Sequence, residues 1–187
     1  MIKVEIVKCL KDNFSYIVHN NNEALVIDPS ESGPIIKSLE KLNLKLKYIL
    51  NTHHHFDHID GNLTLKEKYK CKIIGFIDDK KRIPGIDICL KNEEIFKEGD
   101  FKFKTYHTPG HTSGHICYHF FNDKILFTGD TLFSLSCGRL FEGTYEDMFR
   151  SLSLIKTFDK ETLIYCGHEY TSVSYTHLTL PTNGTVW

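Results

Sequence analysis

The sequence predicts an α+β protein in which two sheets pack face to face with helices on the outside. Three observations lead there. Strand-like runs fall in two groups, with helical periodicity placed between the groups and not after every strand. No internal repeat is present. At 187 residues and 41% hydrophobic content, the chain is long enough for one domain with a sizeable core. Half-apolar strands and amphipathic helices bury their apolar sides best as stacked layers.

In order, strand-like runs at 2–9, 14–19 and 24–27 are separated by Lys11-Asp12-Asn13 and Asn20-Asn21-Asn22, which are turn chemistry. An antiparallel meander follows. The third run ends in Asp28-Pro29, and Pro34 then opens a helix whose apolar positions Ile35, Ile36, Leu39 and Leu42 keep the helical period. A strand at 47–51, a helix at 62–69 and a strand at 72–76 come next. From 77 to 93 the pattern fades around Pro84-Gly85 and reads mostly as loop. Strands at 101–107 and 115–121 flank a glycine-containing loop, and Asn122-Asp123-Lys124 turns the chain into a strand at 125–128 ending at Gly129-Asp130. Residues 131–143 mix glycine and serine with Leu132, Phe133, Leu140 and Phe141, the composition of an ordered loop beside a site. Thr144 caps a helix with Met148, Leu152 and Ile155 on one face, and a strand at 162–166 closes the series.

From Ser172 the chain is threonine-rich, almost uncharged and carries its one tryptophan. Residues 1–171 are expected to form the catalytic domain, and 172–187 an aberrant or non-native tail resembling translated adaptor sequence, with a genuine final strand as the alternative.

Composition excludes several functions. The net charge is -1, from 23 basic and 24 acidic residues mixed along the chain, so no nucleic-acid or membrane partner is expected. No window approaches the roughly 18 apolar residues of a membrane span, and the N-terminus alternates like a strand, not like a signal peptide. A cytoplasmic monomer is expected. Six cysteines without a C-x-x-C pair argue against disulfides and a thiolate zinc site, leaving reduced thiols.

The chemistry is concentrated at residues 52–61, which follow the buried-strand run Tyr48-Ile49-Leu50. His53, His55, Asp57 and His58 leave the strand end together. In an extended segment alternate side chains share a face, so His53, His55 and Asp57 are expected on one side, with His58 brought round by the turn toward Gly61. Imidazole and carboxylate at this density suit a divalent transition metal, most often zinc. A polar loop with chance histidines would explain one or two of them, but the pattern recurs: His111, Asp130 and His168 each follow a strand and a sharp turn. Strand ends on one sheet edge converge, and these residues together are too many for one tetrahedral zinc. They suit two metals sharing a bridging carboxylate. His54 alternates away from the cluster, and His107 and His119 read as core or hydrogen-bonding residues. For His115 and Asp28 a supporting role and a purely structural one both remain open.

Thr52-His53-His54-His55-Phe56-Asp57-His58 resembles the signature loop of the metallo-β-lactamase superfamily. Thr108-Pro109-Gly110-His111-Thr112-Ser113-Gly114-His115, Phe127-Thr128-Gly129-Asp130-Thr131, Cys137-Gly138-Arg139-Leu140-Phe141-Glu142-Gly143 and Cys166-Gly167-His168-Glu169-Tyr170-Thr171 narrow the resemblance to the glyoxalase II (hydroxyacylglutathione hydrolase) family. The resemblance implies a four-layer αββα sandwich and two divalent ions, zinc first, with iron and manganese as alternatives. It implies that His53, His55 and His111 bind one ion, that Asp57, His58 and His168 bind the other, and that Asp130 bridges them. Arg139, Phe141 and Tyr170 would lie against glutathione. A metal-bridging hydroxide held by Asp57 would hydrolyse S-D-lactoylglutathione to D-lactate and glutathione. Two alternatives stay open: a persulfide dioxygenase with one iron on His55 or His53, His111 and Asp130, and a catalytically weak metal-binding fragment. The resemblance covers residues 1–171, whereas family members continue into a helical C-terminal domain; weaker substrate contacts are therefore expected here.

Overall fold

Alternation along the second strand sets the layering: Tyr16 and Val18 enter one apolar core, and Ile17 between them enters another. The computed structural model describes residues 2–20 and 22–171. The expected tail at 172–187 lies outside the described residues.

The first sheet has six strands in the order β1 (Lys3–Cys9), β2 (Asn13–His19), β3 (Glu23–Ile27), β4 (Lys45–Leu50), β5 (Lys72–Phe76) and β6 (Ile88–Leu90). It begins as the expected antiparallel meander and becomes parallel from β3 onward. Parallel pairing needs crossovers: α1 (Ser32–Lys41) joins β3 to β4, α2 (Phe56–Ile59) and α3 (Asn62–Tyr69) join β4 to β5, and the short helical turn Ile77–Asp79 with the loop after it joins β5 to β6. The second sheet has five strands: β7 (Ile95–Glu98), β8 (Phe101–His107), β9 (Ile116–Phe120), β10 (Ile125–Gly129) and β11 (Leu163–Cys166). Only β10 and β11 run parallel within it, joined by the crossover helix α4 (Tyr145–Ile155).

Between the sheets Tyr16, Leu25, Ile27, Leu50 and Ile74 meet Phe101, Phe103, Tyr118, Phe120 and Phe127. Full burial of one such apolar side chain contributes about 1.5–3 kcal/mol. Ile35 and Leu39 of α1 and Leu65 of α3 cover the outer face of the first sheet, against Ile17, Val26, Ile49 and Ile73. Ile155 of α4 covers the second against Cys117 and Leu126. This is the four-layer αββα sandwich.

The differences from expectation have physical reasons. Helix α1 starts at Ser32, two residues before Pro34, because proline is tolerated anywhere in a first turn whose N–H groups lack helical partners. The edge strands β6 and β7 were not expected. One is three residues long, and the other is mostly exposed with charged Lys97 and Glu98, so neither carries a readable alternation. Among the described residues, no helix is long and apolar enough to cross a membrane.

Backbone bonds stitch the two sheets together at one edge. Phe14 N–H donates to Gly167 O (2.8 Å) and Ile116 N–H to Thr52 O (2.9 Å), while Gly167 N–H donates to Gly129 O (2.8 Å) at the end of the second sheet. The loops after β1, β4, β10 and β11 therefore share one region.

Helix α4 opens with a reciprocal cap: Thr144 Oγ1 accepts from Asp147 N–H (3.1 Å) and Asp147 Oδ2 accepts from Thr144 N–H (2.9 Å). Thr144→Ala is expected to cost about 1 kcal/mol, read as a lower urea midpoint with an unchanged slope. An unchanged midpoint would contradict the cap's contribution.

Candidate metal centre

Each residue singled out in the loops reaches the stitched edge. His53, His55 and His111 offer ligand atoms that all lie within 4.8 Å of one another, and so do Asp57, His58 and His168. Asp130 stands between the groups. Its Oδ2 is 3.3 Å from His111 Nε2 and 3.3 Å from His168 Nε2, and its Oδ1 is 3.4 Å from His58 Nε2. The route of the chain differs from the expectation at one point: Asp57 and His58 sit on the single turn of α2, not on an extended strand continuation. That turn moves Asp57 away from the face of His53 and His55 and into the group with His168.

The rings are aimed by what their outer nitrogens touch. His58 Nδ1 donates to Asp28 Oδ2 (3.0 Å), His168 Nδ1 to Asp12 Oδ1 (3.1 Å) and His111 Nδ1 to the carbonyl of Arg139 (2.8 Å). Carboxylates and carbonyls can only accept, so the outer nitrogen carries the proton and Nε2 faces inward. Thr52 Oγ1 donates to Asp28 Oδ2 (2.6 Å) and lies 3.0 Å from His53 Nδ1, which orients that ring in the same way. Asp28 also accepts from Thr52 N–H (2.7 Å), so the open question about it resolves toward support of the histidine loop. It adopts φ 46°, a left-handed conformation that aspartate tolerates better than most residues.

Inside the cluster the polar atoms are under-satisfied. His53 Nε2 and Asp130 Oδ1 are buried without a hydrogen-bond partner. His111 Nε2 points at His55 Nδ1 (3.0 Å) and His58 Nε2 at His168 Nε2 (3.3 Å). Nitrogen facing nitrogen and an orphaned carboxylate oxygen, all turned to one small volume, fit a bound cation better than any protein partner.

Charge follows the same division. Burial drives His53 well below the ordinary imidazole value, and burial with His111 and His54 lowers His55 to about 4. Burial also lowers His111. These three are neutral donors at pH 7. Burial works against charge on His58 too, but Asp130, Asp28 and Asp57 outweigh it and hold it at about 9. His168 is raised by Asp130 and Asp12 against its own burial. Burial would raise Asp130, yet His58, His168 and His111 keep it well below the usual carboxylate range.

His115 is fully buried; its Nε2 accepts from Asp130 N–H (3.1 Å), and its ring stacks on His53 with centroids 5.0 Å apart. It supports the cluster from behind. His54 lies outside, 3.3 Å from Asp79 Oδ2. His107 stacks on Phe76 with its Nε2 2.8 Å from Ser113 O, and His119 packs on Phe158; both are half-buried and apart from the cluster. Sequence reasoning missed Asp12 and Asn13, which sit in the first turn. Asn13 Nδ2 donates to Asp57 Oδ2 (2.9 Å) and fixes that carboxylate.

An open cavity of about 490 Å³ at the cluster is lined by His55, Asp57, His111, Asp130 and His168 together with Phe133, Arg139, Phe141 and Tyr170. Arg139, Phe141 and Tyr170, the three residues expected against a substrate, line the same cavity as the cluster. Tyr170 stacks on His168 (4.8 Å, 7°), and Phe141 meets His55 and His111 edge-on with the Arg139 guanidinium 5.3 Å over its ring.

A sandwich with helices outside, a histidine and carboxylate cluster at its loop edge and a cavity above it defines a class of metal-dependent hydrolase folds. Residues 11–168 match the sequence profile of the metallo-beta-lactamase superfamily. The chain is 55% identical over 172 residues to the hydroxyacylglutathione hydrolase of Pelagibacter ubique, spanning 91% of this chain and 72% of that protein. It is 43% identical over 176 residues to the hydroxyacylglutathione hydrolase of Methylococcus capsulatus, spanning 93% of this chain and 69% of that one. The crystal structure of the BLEG-1 B3 metallo-beta-lactamase is similar with a TM-score of 0.81 at 26% identity, covering 98% of this chain and 100% of the other. The chain belongs to the metallo-β-lactamase superfamily and, within it, to the hydroxyacylglutathione hydrolase family.

Imidazoles must be neutral to bind a metal, so loading has to displace the protons held on the His58 side. Adding zinc to the metal-free protein at pH 7 is expected to release protons, detected with an indicator dye in weak buffer. The part that comes from His58 should fade as pH rises past about 9. No release at pH 7 would contradict the assignment of charge to His58.

Proposed function

We propose that the chain hydrolyses a glutathione thioester, S-D-lactoylglutathione, to D-lactate and glutathione. One observation carries this reading: a single cavity is lined both by the histidine and aspartate cluster and by Arg139, Phe141 and Tyr170, in a chain 55% identical to a protein named hydroxyacylglutathione hydrolase. We further propose that His53, His55 and His111 hold one divalent ion and Asp57, His58 and His168 a second, with Asp130 shared and zinc as the metal. Bound there, two such ions would supply hydroxide at neutral pH and positive charge for the oxyanion of the attacked carbonyl.

The chain's own groups do the rest. Asp57 lies on the cavity side of the cluster, with Oδ2 fixed by Asn13 and 3.4 Å from His168 Nε2, and serves as the acceptor for the nucleophile's proton. Arg139 is exposed at the cavity rim, where its planar fork suits a carboxylate of glutathione. Burial raises the Tyr170 phenol above its ordinary value, so it stays protonated and donates to a peptide carbonyl of the substrate. Phe133 and Phe141 give the thioester an apolar wall that thins the water around it. Six free cysteines suit the reducing conditions of the cytosol, the compartment we assign to the reaction.

Metal analysis of the purified protein alongside assays on two substrates tests the reading. Two metals per chain, D-lactate and free thiol from S-D-lactoylglutathione, and no oxygen uptake are expected. One iron per chain with oxygen consumption on glutathione persulfide would replace the hydrolase with a dioxygenase.

A further inference from the structure

A second polar network lies beside the cluster. Asp79, fully buried in a short helical turn after β5, accepts from Arg82 Nε–H (2.8 Å) and lies 3.3 Å from His54 Nδ1. Arg82 turns its other side to Glu142: Nη1–H donates to both carboxylate oxygens, at 2.7 and 2.9 Å, while Nη2–H donates to Ser113 Oγ (3.0 Å). Glu142 also accepts from Ser113 N–H (2.7 Å) and Ser113 Oγ–H (2.8 Å). Burial tends to raise Glu142, but Ser113 and Arg82 outweigh it and hold it at about 2, so it is ionised across the working range of pH. Four segments meet here: the histidine loop, the turn at 77–82, the His111 loop and the loop at 137–143.

The last of these carries Arg139 and Phe141 and has no helix or extended strand of its own. Phe141 N–H donates to His111 O (3.1 Å) and Gly143 N–H to Gly110 O (3.1 Å), which fastens it to the neighbouring loop. Arg82 adds a tie to the side of the first sheet. An ion pair about one-third exposed is ordinarily worth little, because two long side chains must be ordered to make it. Here the ordering is already done. The guanidinium is held by a carboxylate that cannot leave the interior, and the planar fork serves Asp79, Glu142 and Ser113 at once, which a lysine could not do.

We propose that Arg82 and Glu142 are positioning residues whose ion pair fixes the loop at 137–143, and with it the wall that holds the glutathione part of the substrate. This rests on the thioester reading above. Removing Glu142 leaves the Asp79–Arg82 pair intact, so the fold survives the change.

The test compares wild type, Glu142→Ala and Glu142→Gln in the metal-loaded full chain, by thioester kinetics and by amide hydrogen exchange. Glu142→Ala is expected to raise KM for S-D-lactoylglutathione about tenfold, with kcat falling much less, since remote binding is lost and the reacting groups are kept. Exchange at the Phe141 and Gly143 amides should quicken while the amides of β2 and β9 stay as protected as in wild type. Glu142→Gln keeps an oxygen for Ser113 N–H and Arg82 and should recover part of the KM. A wild-type KM together with wild-type exchange at Phe141 and Gly143 overturns the proposal, and so does a loss confined to kcat. If the wild type does not cleave the thioester, the proposed function falls. Faster exchange in Glu142→Ala would then still support the clasp, and unchanged exchange would still overturn it.

Discussion

A carboxylate buried among imidazoles holds this site together. Asp130 is 5% exposed and within 3.4 Å of His58, His111 and His168, which arrive from three separate loops. An unpaired buried carboxylate costs several kcal/mol, so those loops must meet around it or the edge does not assemble. The backbone makes room for that meeting. A side chain at Gly167 would run into Asp130 and come within 2.9 Å of His58 Cε1. Gly129 has φ +47°, and a side chain there would press on His115 Nε2 at 2.7 Å. At both positions the glycine follows from the space that the cluster occupies.

Around that centre a ring of acceptors settles which nitrogen of each histidine faces inward. Asp28, Asp12, the Arg139 carbonyl and Thr52 take the outer nitrogens of His58, His168, His111 and His53, and the inner ones converge on one another and on Asp130, with His53 Nε2 left without a partner. Orientation is therefore established by folding and not by the ligand, which is how a site keeps its geometry through a reaction. The Arg139 carbonyl accepts one of these bonds while the residue also lines the cavity, so one residue serves both the cluster and the cavity. The Arg82 and Glu142 pair steadies the same loop from behind.

The residues that the loop edge gathers were legible because their chemistry is rare and their spacing local. His53, His55, Asp57 and His58 fall in six positions, and His111, Asp130 and His168 each follow a strand end, so strand prediction alone located them. The long strands and helices were readable from periodicity for the same reason. The supporting residues gave no such signal. Asp12 looks like any turn aspartate, and its partner His168 is 156 residues away. Arg82 lies in the stretch at 77–93 where periodicity fades, and only the fold reveals that Glu142 faces it. The turn of α2 was hidden because four residues are too few to display a period, and it takes Asp57 off the face of His53 and His55 that an extended segment would have given it.

The central claim is that one carboxylate joins two metal positions, and metal content of the Asp130→Ala protein tests it most directly. With folding checked by circular dichroism, loading should fall from two ions per chain to fewer than one, since both donor groups lose their shared member together. Retention of two ions per chain would take Asp130 out of the bridge and contradict the reading of the cluster as a single joined centre.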